Sequence, residues 1–156
     1  MKNIITLNLI GAIIASAVML PLALTSSQAH EISSEEIYHA ANESPEKLHE
    51  LLESGAAINA ADKEGDTALM LAAEKHNTQA AQRLIDNGAD VNACNADGET
   101  ALMIAAENGS ADIVCALLDV EADPNIRDED GETALQKAAE AGHADIAGLI
   151  GRAGGQ

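Results

Sequence analysis

The apolar positions of the chain follow two different rhythms. From Leu9 to Leu24 they run almost without a break, interrupted only by Gly11, Ser16 and Pro21. Beyond residue 34 they come in short stripes separated by polar residues. Leu69, Ala72 and Ala73 stand at i, i+3 and i+4, the spacing of one helix face. A second apolar block, Leu84-Ile85, is followed by Gly88, the expected helix stop. This pattern predicts four helix pairs, roughly 34–42/45–54, 67–74/78–86, 100–107/111–119 and 133–140/144–151, with no sheet beyond short hairpins. Leu69, Leu102, Leu135, Leu84, Leu117 and Leu149 are then expected to be mostly buried. Neither helix of a pair can bury its face alone, so the core has to come from stacking. Small Ala residues let neighbouring helices approach closely, and larger ones there should overpack the stack.

The pairs are copies of one another. Gly65, Gly98 and Gly131 are spaced by 33, as are Thr67, Thr100 and Thr133, and Ala73, Ala106 and Ala139. The segments read D-K-E-G-D-T-A-L-M-L-A-A, N-A-D-G-E-T-A-L-M-I-A-A and D-E-D-G-E-T-A-L-Q-K-A-A. Leu84-Ile85 matches Leu117-Leu118 and Leu149-Ile150, and Asp90-Val91-Asn92 matches Asp123-Pro124-Asn125. One further shift aligns Ser34, Ala40, Leu51-Leu52, Gly55 and Asn59 with a degenerate first copy. The repeats then lie at about 30–61, 62–94, 95–127 and 128–156. Polar Ser33, Glu35, Glu36, His39 and Asn42 suit a capping unit whose outer face meets water. Over nearly all of residues 34–154 the chain resembles the ankyrin repeat, whose usual length is 33. The resemblance implies an all-α solenoid of about four stacked helix-turn-helix units with short β-hairpin connections, and a binding role without enzymatic activity.

Local chemistry agrees. The Gly of each D-G-x-T supplies the turn, and Thr67, Thr100 and Thr133 cap the helix that follows. Ser44-Pro45-Glu46-Lys47 is the clearest helix start. The departures are specific. The familiar T-P-L-H becomes T-A-L-M or T-A-L-Q, so the usual Thr–His pair is missing. His76 and Glu121 stand where the pattern has Gly, and Gly148 falls inside the last helix. Each costs of order 1 kcal/mol, so local weakness is expected at Glu121 and in the last repeat.

Composition changes the picture in two ways. The 156 residues hold one Tyr, no Phe and no Trp, so the core must be thin and aliphatic. The net charge of −18 excludes a general nucleic-acid binder and disfavours anionic lipid. The first thirty residues form a separate object. Lys2, the apolar run and small Ser27 and Ala29 before a cleavage point have the layout of a secretory signal peptide at 1–29. An uncleaved anchor from Ile4 to Leu24 is the rival, weakened by Asn8 and Pro21. No Cys follows the run, which argues against a lipid anchor. Removing 29 of 156 residues leaves a 30–156 domain of 127 residues starting at His30, and losing Lys2 takes the charge from −18 to −19. The expected location is the periplasm, or secretion, with no membrane contact after cleavage.

No catalytic, cofactor-binding or metal-binding residues are expected. Aligning Gly131 with the glycine of a calcium loop puts Lys137 where the last carboxylate is required, and the other copies put Leu71 and Ile104 there. The acids Asp128, Asp130 and Glu132 are therefore not read as calcium ligands. The five His show no metal spacing, and His76 and His143 read as exposed turn residues. Ser44 and Ser110 read as helix starts. Cys94 on the loop entering the third repeat and Cys115 midway along that repeat's second helix are poorly placed for a bridge.

Function is left to a surface. The resemblance implies that partners are gripped by the hairpin tips and the outer face of the first helices. Those positions are Lys63, Glu64, Asp66, Glu74 and Lys75, then Ala96, Asp97, Glu99, Glu107 and Asn108, then Glu129, Asp130, Glu132, Glu140 and Ala141. Ten of the fifteen are acidic and two are basic, which points to a basic protein partner. Solvation of hairpin tips, copied by repeat duplication, explains the same acids. The expected protein is a monomer on its own, an immunity-type inhibitor of an exported toxin or a scaffold for a resident enzyme. The alternatives are a secreted effector acting on a host protein and, more distantly, an enzyme on a repeat scaffold.

Overall fold

The computed structural model describes residues 32–155. The apolar segment, the cleavage point after Ala29 and His30 lie outside the described residues. Among the described residues eight helices follow in order: α1 (Ser34–Glu43), α2 (Pro45–Glu53), α3 (Ala68–Glu74), α4 (Thr78–Asp86), α5 (Ala101–Glu107), α6 (Ala111–Asp119), α7 (Ala134–Glu140) and α8 (Ala144–Arg152). The same residues form no strand, and one isolated antiparallel bridge joins Ala61 and Thr67. The sequence places these helices within about two residues, because each one has a readable start and stop.

The starts are side-chain caps. Ser44 Oγ accepts from the backbone N–H of Lys47 at 3.1 Å, directly before Pro45. Thr67 and Thr100 accept from the N–H of Met70 and Met103 at 3.4 and 3.3 Å. Where the family pattern pairs Thr with His, this chain uses the residue now at the His position. The N–H of Thr67 donates to Met70 Sδ at 3.4 Å, and that of Thr133 to Gln136 Oε1 at 3.0 Å. In the first repeat the cap moves by one residue. Ser33, not Ser34, caps α1, in a reciprocal pair with Glu36, while Ser34 is buried. The stops need a left-handed residue. His76 and Glu121 adopt φ of +54° and +61° where sister repeats place Gly109 and Gly88. The two non-glycine stops therefore hold the same backbone turn, under strain.

The first helices stack on one another in the order α1, α3, α5, α7, and α4, α6 and α8 follow in a second layer. The core between them is aliphatic: Leu69, Met70, Leu84, Leu102, Met103, Ile113, Leu117, Ile146 and Ile150 are all fully buried. Ala72, Ala73, Ala105 and Ala106 have no exposed surface, so there is no room for a larger side chain without movement. Leu135 and Leu149 are less completely buried than the other four leucines expected in the core. Leu135 lies in the last repeat, where no further unit among the described residues covers the position that Leu102 fills. Leu149 is one residue out of register: a strict shift of 33 aligns Leu84 and Leu117 with Ile150, which is buried.

Backbone bonds between repeats keep the tips in register. The N–H of Ala96 donates to the Glu64 carbonyl, and that of Glu129 to the Asp97 carbonyl, both at 2.9 Å. The approach is close enough that a Cβ on Gly65 would lie 2.9 Å from Ala96 N, and one on Gly98 would lie 3.0 Å from Asp128 Cα. On the loops behind, Asn59 and Asn92 accept from the N–H of Asp90 and Asp123 at 2.8 Å. The repeated Asn is thus a spacer between units.

Candidate binding face

Each hairpin tip is shaped by one side chain at the start of its loop. Asp62 Oδ1 accepts from the N–H groups of Glu64 and Asp66 at 3.0 and 2.8 Å. Asn95 does the same for Asp97 and Glu99 at 3.1 and 2.9 Å, and Asp128 for Asp130 and Glu132 at 3.1 and 2.9 Å. The remaining atom of this side chain reaches elsewhere. Asn95 Nδ2 donates to Asp66 Oδ1 of the preceding repeat at 2.9 Å. Asp128 Oδ2 lies 3.0 Å from Lys137 Nζ.

Lys137 is the centre of the last two repeats. It occupies the place of Leu71 and Ile104 in the 33-residue register, and its side chain is only 12% exposed. Its ammonium donates to Glu99 Oε1 at 2.9 Å and lies 3.8 Å from Glu107 and 4.0 Å from Glu132. Burial alone would lower the Lys137 pKa. Hydrogen bonds to Glu99 and Asp128 outweigh that and hold it above the ordinary lysine value. Burial alone would raise the Asp128 carboxyl, but the Glu132 backbone N–H and Lys137 hold it below the usual carboxylate range. Glu132 is shifted up, chiefly by the charge of Glu140. Asp97, Glu99, Asp128, Glu129, Asp130 and Lys137 line an open cleft of about 220 Å³ between the two tips.

The expected binding positions divide into two sets. Lys63, Glu64, Glu74, Lys75, Ala96, Asp97, Glu107, Asn108, Glu129, Asp130, Glu140 and Ala141 are exposed. Asp66, Glu99 and Glu132 are half-buried, and Asp66 and Glu99 carry bonds between repeats. Glu99 and Glu132 lie against Lys137 rather than standing free in water. Sequence reasoning misses Asp62, Asn95 and Asp128 as tip formers, although Asp or Asn recurs three residues before each tip glycine. It also misses Lys137 as a partner of the acids, although a lysine breaks an apolar column there.

Other candidate chemistry is dispersed. His76 Nδ1 lies 2.6 Å from Ser110 Oγ, and among the described residues no third group completes a catalytic arrangement. That contact diverts Ser110 from capping α6. A Cβ on Gly109 would lie 2.7 Å from the ring of His143. Cys94 and Cys115 are exposed free thiols. Among the described residues no group of three or more His, Cys, Asp or Glu is arranged to hold a metal, and no helix is long and apolar enough to cross a membrane.

No curated protein matches the chain. A family model described as ankyrin repeats, three copies, matches residues 37–128. With 33-residue helix pairs, stacked tips and that match in agreement, the chain belongs to the ankyrin-repeat family, whose members are typically non-enzymatic protein–protein interaction modules.

Proposed function

We propose that the chain is exported and binds a basic protein through the acidic face made by its hairpin tips and first helices. One observation carries the reading. The inner acids Glu99 and Asp128 are engaged by Lys137, whereas Glu64, Asp97, Glu129 and Asp130 stand exposed along the line of the tips. A row of outward carboxylates on a rigid scaffold attracts Lys and Arg, raises association rates and rejects acidic partners. An inhibitor that occludes a basic toxin and a scaffold for a basic enzyme both use this chemistry.

The test is a paired capture from periplasmic extract with the wild-type domain and a variant carrying Asp97→Asn, Glu129→Gln and Asp130→Asn. The expected result is a basic protein retained by the wild type and lost by the variant. Equal retention by both would place the partner on another surface.

A further inference from the structure

The last repeat is weakly built. Gly148 and Gly151 lie within α8, and His143 at its start makes no side-chain cap. The positions that Leu102, Ala106 and Val114 bury completely in the third repeat are held in the fourth by Leu135, Ala139 and Ala147, none of them fully buried. At this joint the apolar column of Leu71 and Ile104 gives way to an ion cluster. Lys137 on α7 reaches back to Glu99 and Glu107 of the third repeat, and is anchored in its own repeat by Asp128 and Glu132.

We propose that Lys137 is an internal latch that docks the terminal helix pair α7–α8 on the rest of the stack, and that the latch opens in acid when Asp128 takes up a proton. The charges facing the ammonium come from three elements: Glu99 on one tip, Glu107 at the end of α5, and Asp128 and Glu132 on the other tip. Asp130 and Glu140 act on it through Glu132. Lys137 stays charged throughout the acid range, which lies far below even the ordinary lysine value. The Asp128 pKa is depressed in the folded chain, so its contribution is complete above the ordinary aspartate value and is lost as pH falls through the depressed one. Glu132 runs the other way. Its raised value means that ionisation works against the cluster near neutrality, and protonation first relieves it. Docking therefore holds, or tightens slightly, through mild acid and begins to weaken only below the ordinary aspartate value of about 4.

General relief of repulsion in a chain of net charge −18 gives a different outcome, stabilising every repeat alike as acid is added. Hydrogen exchange of the full domain, corrected for intrinsic rates, separates the two. The latch requires α7–α8 to lose protection before α3–α6 as pH falls from 5 to about 3. At neutral pH, Lys137→Met should speed exchange in α7–α8 by roughly 10- to 100-fold and leave α3 and α4 within about twofold. A triple variant, Glu99→Gln, Asp128→Asn and Lys137→Leu, rebuilds the joint from side chains the other repeats already use: Asn95 at the tip and Leu71 in the column. It should keep α7–α8 docked and remove their acid sensitivity. Wild-type exchange that falls uniformly across the repeats in acid would overturn the proposal, as would a triple variant that releases α7–α8 at the same pH as wild type.

Discussion

At His76 and Glu121 the backbone turns left-handed with side chains that resist it. Glu121→Gly should therefore raise stability by about 1 kcal/mol, read as a shift of the urea midpoint at constant slope. His76→Gly should gain less, because the His76 ring also holds Ser110 at 2.6 Å. The tip glycines offer a sharper comparison. Gly98 and Gly131 share φ near +80°, but only Gly98 faces another backbone, at 3.0 Å. Gly98→Ala should cost at least about 1 kcal/mol more than Gly131→Ala in the same denaturation experiment. Strain at His76 and Glu121 is legible in the sequence, since both break a column of glycines. The role of Lys137 is not. Its closest partners sit 38 residues back and nine residues back, and nothing in a linear pattern says that these carboxylates converge.

Helix limits are readable because each helix is closed by local chemistry: a capping side chain before it and a left-handed residue after it. Where local chemistry is ambiguous, the sequence does not decide. Adjacent Ser33 and Ser34 both suit a cap, and only the structure shows that Ser33 takes the role and Ser34 is buried. Adjacent Leu149 and Ile150 are equally apolar, and the 33-residue register chooses Ile150. The last helix is the element most open to improvement. Nothing lies within 4 Å of a Cβ added to Gly148, and one on Gly151 would make an ordinary 3.6 Å contact with Leu135. Gly148→Ala and Gly151→Ala should each add about 0.5–1 kcal/mol, seen as slower amide exchange in α8 before any change in the first three repeats.

For the molecule as a whole, the repeat architecture sets what can be altered independently. Stacked units contact only their neighbours, so tip acids can be changed without touching the core. The structure narrows which ones. Glu99 and Glu132 belong to the joint around Lys137, whereas Asp97, Glu129 and Asp130 are exposed, and neutralising these three should change stability by about 0.5 kcal/mol or less. The proposed export has its own test: N-terminal sequencing of protein from the periplasmic fraction should begin at His30, and an intact Met1 would favour the anchor. The acidic face is tested most directly by the affinity of the captured partner for the wild-type domain and the Asp97→Asn, Glu129→Gln, Asp130→Asn variant, each at low and high ionic strength. If these carboxylates grip a basic surface, the wild type binds more tightly at low salt, and the variant binds more weakly with a flatter salt dependence. Equal affinities at low salt, with equal salt slopes, would contradict it and leave the acids as a solvating surface.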